Sequence, residues 1–415
     1  MTLLMLSNQP SPVSLNERTH ELDVIRGFAL FGILIANMPF FATPVSYVIM
    51  TDITLFTSTA DRIAEWLIVF LASGKFFTMF SFLFGFGFVL FLTKAASRTD
   101  RPRTLFLRRL AFLLLIGLIH GYGIWYGDIL VSYALTGVLL LAFYARKAKT
   151  ILVWAILLLT VPATLFGLLG LLLLVMGDVI PDTGSNVAMM TGLVKDSFQA
   201  YGEGTFTDIA TMRIYDYNLM LGSEVMIMPM ILGMFLLGMY AAKQDLHKQL
   251  TEKLPHIKKI WWITLVLGLP FNVLLTHAYF HQGGADVDGF MLLYYTGTSI
   301  GGPLLAIFYI TSIVLLMQRP AWNRRLQLLA PTGRMALTNY LTHSVVMTVI
   351  FYNYGLGLYG EIGPAVWWLM AFVLFSIQIF FSRWWMSRFR FGPAEWLWRT
   401  LTYGKKQPFK QKPSA

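Results

Sequence analysis

The clearest chemical pairing in this chain is that of His120 and Asp128, which flank the short stretch GYGIWYG. An imidazole oriented by a carboxylate can take a proton from an attacking hydroxyl or amine, which is the work of a general base in acyl transfer. Both residue types also cap helix ends and meet interfacial water, so a structural role is the alternative. The spacing predicts that the two side chains lie close together in either case.

Four more polar side chains are expected at membrane depth, where an unpaired polar group is costly. They are Asn37, Lys75, Asn339 and His343. We expect them to converge with the histidine–aspartate pair in the outer half of one cavity, with Asn37 and Lys75 as oxyanion stabilisers. The alternatives are an interhelical hydrogen bond for Asn37, a structural salt bridge for Lys75 and a packing role for His343.

A charged head precedes the first apolar run, in LDVIRGFALFGILIANMPFF. Asp23 and Arg26 are three residues apart, so on a helix they share a face and can neutralise each other. Gly27 lets another backbone or a ligand come close. Arginines predicted on the same side of the membrane could hold the phosphates of acyl-CoA as charge-assisted pairs. The candidate binding residues are Asp23, Arg26, Arg108, Arg109 and Arg334, on the outer side Arg213, and within the membrane Asn339 and His343.

Composition places these residues in a membrane. Of 415 residues 56% are hydrophobic and 13% charged, against roughly 25% charged in an average soluble protein. Several apolar runs approach the roughly 20 residues that cross a bilayer as a helix. The chain has no cysteine, which excludes disulfides and thiolate chemistry. Phosphate-loop, dinucleotide and metalloprotease motifs are missing from the sequence, and we predict no metal centre.

Apolar runs and charge predict ten transmembrane helices in an all-α polytopic protein. The predicted spans are 24–43, 64–93, 105–121, 125–145, 151–177, 223–242, 260–280, 289–317, 334–354 and 363–383. With both termini inside, all but four of the 32 Lys and Arg residues fall on the inner side. By the positive-inside rule this favours an N-in, C-in orientation. The net charge of +11 is therefore a topology signal and no sign of nucleic-acid binding.

The remaining segments flank or join these spans. The first twenty residues lack the pattern of a signal peptide, so we expect the first helix to be kept as a signal anchor. An amphipathic interfacial helix is expected in the longest outer connection. The predicted organisation is a cytoplasmic segment 1–23, five helices in 24–177, an outer loop 178–222, five helices in 223–383 and a basic cytoplasmic tail 384–415.

Six segments, in this order, resemble the YeiB-like bacterial membrane proteins, domain of unknown function 418. They are LDVIRGFALFGILIANMPFF, GKFFTMFSFLFGFGF, RRLAFLLLIGLIHGYGIWYGDILVSYALTGVLLL, YGEGTFTDIATMR, GRMALTNYLTHS and FGPAEWLWRTLTYG. The resemblance runs through nearly the whole chain. It implies a multi-pass protein of the bacterial cytoplasmic membrane with about ten helices.

A more distant resemblance is to the transmembrane acyltransferases that include heparan-alpha-glucosaminide N-acetyltransferase. Their L-D-x-x-R-G head and following Asn match Leu22, Asp23, Arg26, Gly27 and Asn37. The catalytic His of that family lies in the next outer loop, and here ATPVSYVIMTDITLFTSTADR contains none. The resemblance leaves two alternatives. Either a His on another helix, at position 120 or 343, supplies the base, or the scaffold serves another use.

These observations lead to one main hypothesis for the function. It is a membrane acyltransferase that takes acyl-CoA from the cytoplasm and an acceptor from the outer face. The alternatives are a transporter or exporter of a small or lipidic anion, and a non-catalytic lipid-binding protein. Membrane lipids and acyl-CoA are the expected partners, and the sequence leaves a homodimer open.

Overall fold

The computed structural model describes residues 20–45, 47, 55–176, 185–245, 250–282 and 288–411. Within these residues the chain is helical, with a single isolated bridge between Phe389 and Lys410 and no β-strand. The predicted all-α class is therefore confirmed. Most of the predicted cytoplasmic segment 1–23 and the beginning of the predicted outer loop lie outside the described residues.

The helices follow one another in the order α1 to α15. The first eight are α1 His20–Ala42, α2 Thr59–Leu71, α3 Lys75–Ala96, α4 Pro102–Gly123, α5 Leu130–Phe143, α6 Ala148–Met176, α7 Ser185–Phe198 and α8 Phe206–Lys243. The others are α9 Leu250–Tyr279, α10 Gly289–Met317, α11 Pro320–Leu326, α12 Ala330–Arg334, α13 Ala336–Phe351, α14 Pro364–Arg388 and α15 Pro393–Tyr403. A π-helical turn, Gln199–Glu203, precedes α8, and a 3₁₀ turn, Gln327–Leu329, precedes α12.

Eight helical stretches in the described part of the chain are long and apolar enough to cross a membrane. Two shorter apolar helices, α5 and α13, occupy two of the other predicted spans. A multi-pass helical membrane protein agrees with these lengths. The number of spans and their orientation stay predictions from the sequence.

Two predicted segments differ from the observed helices. The span 64–93 is interrupted, because Gly74 adopts a φ of +81°, which lets α2 end and α3 begin at Lys75. In the predicted outer loop, α8 already begins at Phe206 and runs to Lys243, so residues 206–222 continue into the helix of the next predicted span and do not form a separate interfacial helix. A capping box between Thr205 and Asp208 fixes this early start.

The centre of the bundle is formed by α1, α3 and α8, whereas α6, α9 and α14 lie at the periphery. In the most apolar 18-residue window of α1, 67% of residues are buried, compared with 17% for α6. The exposed side chains of α6 are mainly Leu and Val, as expected for a lipid-facing surface.

Close backbone approach joins α1 to the short helix α12. A Cβ atom on Gly27 would lie 2.3 Å from the carbonyl oxygen of Leu329, and one on Gly333 would lie 1.9 Å from that of Asp23. Only glycine fits at either position. This contact brings Arg334 beside the charged head of α1.

Candidate functional site

A hydrogen-bonded chain of three residues, which we call the relay, lies in the membrane domain. Nδ1 of His120 is 2.9 Å from Oδ1 of Asp128, and Nε2 of His120 is 2.8 Å from Oγ of Ser344. His120 lies in the last turn of α4, Asp128 two residues before α5, and Ser344 in the middle of α13. All three are almost completely buried, with at most 1% of each residue exposed.

The local structure determines which way the relay points. The other carboxylate oxygen of Asp128, Oδ2, accepts a hydrogen bond of 2.9 Å from the backbone N–H of Val131 in the first turn of α5. Because an ionised carboxylate can only accept, a neutral His120 carries its proton on Nδ1, and its Nε2 can then accept from the Ser344 hydroxyl. This is the arrangement of an activated nucleophile, in which a third group orients the base.

Two aromatic side chains enclose the imidazole. The ring centroid of Tyr340 lies 5.1 Å from that of His120, and the ring centroid of Trp125 lies 6.1 Å from it. The hydroxyl of Tyr340 donates a 3.0 Å hydrogen bond to the carbonyl of Gly127 in the turn between α4 and α5. Tyr340 therefore supports that turn and covers one side of the base.

Next to the relay lies a cavity of about 360 Å³, which we call the amphipathic cavity. Its walls come from α1, α3, α4, α5, α12, α13 and α15, and Tyr340 lines it on the side of the relay. One end, the basic end, contains Arg26, Arg109, Arg334 and Arg399. The opposite, apolar end contains Ile33, Phe80, Leu130 and Tyr133.

Two of the arginines at the basic end already contact neighbouring side chains. Nη1 of Arg26 donates a 2.6 Å hydrogen bond to Asp23, the contact predicted from their spacing. The guanidinium of Arg109 stacks 3.7 Å from the Trp398 ring centroid. By contrast, Nε and Nη2 of Arg334 are buried without a hydrogen-bond partner among the described residues.

A carboxyl group from the C-terminal segment also lines this end. Glu395 on α15 accepts hydrogen bonds from the backbone N–H groups of Leu337 and Thr338 and from the Thr338 hydroxyl. Burial raises the pKa of Glu395, and these hydrogen bonds only partly oppose the effect. The tail thus caps the start of α13 and closes the cavity beside Arg334.

Two of the predicted site residues do not line the cavity. Lys75 is fully buried at the start of α3, and its Nζ donates a 3.1 Å hydrogen bond to the carbonyl of Val69 in α2. Asn37 is half-buried on α1 and does not line the cavity. Lys75 therefore faces α2 and does not join the relay as expected, because the break before α3 directs its side chain back towards α2.

The predicted polar pair of α13 faces a different neighbour. Nε2 of His343 is 2.7 Å from Oε1 of Gln378, and Nδ2 of Asn339 donates to Oγ of Ser382 at 3.0 Å. Both contacts join α13 to α14. Since successive helical residues point about 100° apart, His343 faces α14 while Ser344 faces His120.

Two of the predicted arginines also lie away from the cavity. Arg108 is exposed, with its guanidinium 5.9 Å from the Phe112 ring centroid. Arg213 is buried, and its Nε donates a 2.9 Å hydrogen bond to the carbonyl of Tyr122, which ties α8 to the end of α4. Of the predicted binding residues, Asp23, Arg26, Arg109 and Arg334 do meet at one place.

Sequence reasoning missed two buried polar residues near the site. Nothing in the sequence marked Ser344 as a functional residue, because serine is common in membrane helices. Glu224 on α8 is buried and accepts a hydrogen bond from the Ser132 hydroxyl on α5. An acidic residue at membrane depth is a recognised indication of a functional site. Glu224 could therefore have been chosen as a candidate from the sequence.

Comparisons with known proteins give the family. A model described as a protein of unknown function, DUF418, matches residues 241–405. The uncharacterized protein YxaH of Bacillus subtilis (strain 168) is 37% identical over 97% of this chain and 98% of its own length. The uncharacterized protein YeiB of Escherichia coli (strain K12) is 28% identical over 93% of this chain and 96% of its own. The chain therefore belongs to the DUF418 family.

Proposed function

We propose that this protein is a membrane acyltransferase in which Ser344 is the nucleophile, His120 the general base and Asp128 the residue that orients the base. The observation that carries the proposal is the buried chain of hydrogen bonds from Asp128 through His120 to Ser344. Its order and distances are those expected of a nucleophile hydrogen-bonded to a base that a carboxylate orients.

The proposed reaction has two steps. In the first, Oγ of Ser344 attacks the carbonyl carbon of the donor thioester while its proton passes to Nε2 of His120. The carbon–sulfur bond then breaks, the acyl group stays on Oγ as an ester, and the thiolate leaves with the proton from His120. In the second step an acceptor hydroxyl or amine gives its proton to His120, attacks the ester and regenerates the Ser344 hydroxyl.

Access to the relay depends on Tyr340. This ring lines the amphipathic cavity on one side and packs against His120 on the other. We propose that acyl-CoA enters the cavity from the basic end and that the Tyr340 ring turns aside to admit the carbonyl. The Tyr340 ring covers one side of the base and would limit the access of water, which favours transfer to an acceptor over hydrolysis.

The same proposal places the protein in the bacterial cytoplasmic membrane, with both termini inside. The basic end of the cavity then faces the cytoplasm, where acyl-CoA is made. The support for this orientation is the distribution of Lys and Arg along the chain.

The nucleophile can be tested without knowing the acceptor. The protein in lipid nanodiscs would be mixed with radiolabelled acetyl-CoA and lauroyl-CoA, and free thiol and protein-bound label measured. The chain has no cysteine, so thiol release has no background from the protein. We expect about one equivalent of thiol and of label, with label lost in Ser344→Ala and His120→Ala. Ser312→Ala is the matched control, since the Ser312 hydroxyl accepts a hydrogen bond from the Trp261 indole in another part of the bundle.

An alkyl fluorophosphonate gives a second measurement that does not depend on the donor. It should modify Ser344 in the wild-type protein and not modify the Ser344→Ala variant. Label from both reagents at a residue other than Ser344 would overturn the proposal, and so would the absence of label from both.

A carrier of a lipidic anion is the second candidate function, favoured by the four arginines at one end of a cavity whose opposite end is apolar. A carrier would move its substrate across a liposome membrane without releasing thiol, and the Ser344→Ala variant would move it equally well. A non-catalytic lipid-binding protein would retain a co-purified lipid and show neither movement nor turnover.

A further inference from the structure

A second buried carboxyl group lies beside the relay. Glu224 on α8 has only 5% of its surface exposed, and it accepts a hydrogen bond from the Ser132 hydroxyl on α5. Asp128 of the relay accepts a hydrogen bond from the backbone N–H of Val131, the residue before Ser132. Two consecutive residues in the first turn of α5 therefore hold two different carboxyl groups.

The two carboxyl groups are not equally supported as anions. Asp128 receives the Val131 N–H and lies 2.9 Å from Nδ1 of His120, which becomes a cation when the imidazole takes up a second proton. Glu224 receives one hydroxyl group, and no Lys, Arg or His side chain forms an ion pair with it in the part of the chain that the structure describes. Asp128 is therefore the better place for a negative charge.

Both acids cannot keep a negative charge at this position. The N-terminus of α5 contributes roughly half a positive charge, which is too little to balance two carboxylates. Asp128 is also the charged side chain that acts on Glu224 through space. Repulsion between two neighbouring carboxylates and the cost of burying an unpaired charge both favour a proton on one of them. Because Asp128 has the better partners, that proton belongs on Glu224.

Two hydroxyl groups near these acids have no partner. Oγ1 of Thr136 lies one helical turn beyond Ser132 on the same face of α5, and the Tyr217 hydroxyl belongs to α8; both are buried without a hydrogen-bond partner among the described residues. Asp128 and Glu224 both act electrostatically on Tyr217. A protonated carboxyl group donates a hydrogen bond and needs an acceptor, which a hydroxyl oxygen can supply directly or through water.

We propose that Glu224 is a proton-binding site that keeps Asp128 as the single negative charge of the pair. With Glu224 neutral, Asp128 stays ionised and can orient His120. Glu224 is thus a positioning residue that acts on the relay through Asp128. The titratable side chains that interact with it are Asp128 in the turn before α5, Tyr133 on α5, Tyr217 on α8 and Tyr340 on α13.

Binding of this proton goes beyond the proposed function and does not require acyl transfer. It follows from two acids and their partners, whatever chemistry the relay performs. Loss of acyl transfer in the experiments above would therefore leave it standing. A failure of the measurements below would likewise leave Ser344 as the proposed nucleophile.

Dicyclohexylcarbodiimide tests the assignment in the full-length protein in lipid nanodiscs. The reagent takes the proton of a neutral carboxyl group on one nitrogen, the carboxyl oxygen adds to its central carbon, and rearrangement leaves a stable N-acylurea. Mass spectrometry of peptides locates the label. We expect label at Glu224 at neutral pH, none at this position in Glu224→Gln, and unchanged label at Glu224 in Glu203→Gln, which alters an exposed acid. Label at Asp128 in place of Glu224 would overturn the proposal.

A pH series of the same labelling tests the link to the relay. The charge of Asp128 favours the proton on Glu224, so Asp128→Asn should lower the pH of half-maximal labelling by about one unit or more. Asp196→Asn, at an exposed acid of α7, should leave it unchanged. Equal midpoints in wild type and Asp128→Asn would remove the link. Protection of Glu224 by sodium ions, and not by choline at the same ionic strength, would place a metal cation there and overturn the proposal.

Infrared spectroscopy needs no reagent to reach the site. A protonated carboxyl group has a C=O stretch that is separate from the bands of carboxylates and amides. The difference spectrum of wild type and Glu224→Gln at neutral pH should contain this band. Either the band or the label at Glu224 supports the proposal, and the absence of both overturns it. If Glu224→Gln does not fold, labelling of the wild-type protein decides alone.

Discussion

Nε2 of His120 lies 2.8 Å from Oγ of Ser344, although 224 positions separate the two residues in the chain. This contact joins the last turn of α4 to the middle of α13 and completes the relay that begins at Asp128. The relay and the amphipathic cavity meet at Tyr340, which touches both. The imidazole of the relay and a cavity with four arginines at one end thus contact the same aromatic side chain.

Asp128→Asn should lower acyl transfer by about 10²–10⁴-fold. The amide can donate to Nδ1 of His120, which would move the imidazole proton to Nε2 and remove the base that faces Ser344. Thiol release from lauroyl-CoA measures the effect, and Asp196→Asn, an exposed acid of α7, is the control. Activity of Asp128→Asn within tenfold of the wild-type protein would contradict this role.

Tyr340→Phe and Tyr340→Ala should differ in their effects. The Phe variant keeps the ring and loses only the hydrogen bond to Gly127, so we expect a small loss of activity and of stability. The Ala variant removes the ring between the cavity and His120, so water can reach the relay. Thiol release without an added acceptor should therefore increase in Tyr340→Ala. Equal hydrolysis by both variants would show that Tyr340 does not shield the relay.

Glu395 should make stability depend on pH. Its pKa is raised from 4.5 mainly by burial, so the protonated form is favoured by folding. The contribution of Glu395 to the free energy of unfolding is fully present below about pH 4.5. It is lost as pH rises towards the higher pKa of the folded state. Thermal unfolding in detergent should show a Tm that falls with pH over this window. The slope of Tm against pH should be smaller in Glu395→Gln. It should be unchanged in Glu361→Gln, which alters an exposed residue.

Gly238→Ala should destabilise the bundle. A Cβ there would lie 1.9 Å from the carbonyl oxygen of Phe82, so α3 and α8 would have to move apart. Overpacking of this kind typically costs about 1–3 kcal/mol. Gly222→Ala on the same helix meets open space and should be neutral or slightly stabilising. Equal Tm values for the two variants would show that α3 and α8 can separate at little cost.

Local patterns in the sequence predicted a good part of the site. The contact of Asp23 with Arg26 follows from three-residue spacing on a helix, and that of His120 with Asp128 from a short turn between two helices. Lys75 shows where such reasoning failed. Its expected place in mid-span assumed an unbroken helix, and the positive φ of Gly74 cannot be seen in an apolar run.

The sequence by itself determined the class and the family, and its charge pattern predicts an orientation. Composition, hydropathy and charge are properties summed along the chain, so they require no knowledge of which helices touch. Only the tertiary structure decided that Ser344 completes the relay and that Arg334 reaches the head of α1. Both contacts join residues more than two hundred positions apart, and they depend on close helix packing, at Gly27 and Gly333 in the case of Arg334. Helix packing in a membrane is set by the fit of side chains between neighbours, which a single sequence does not display.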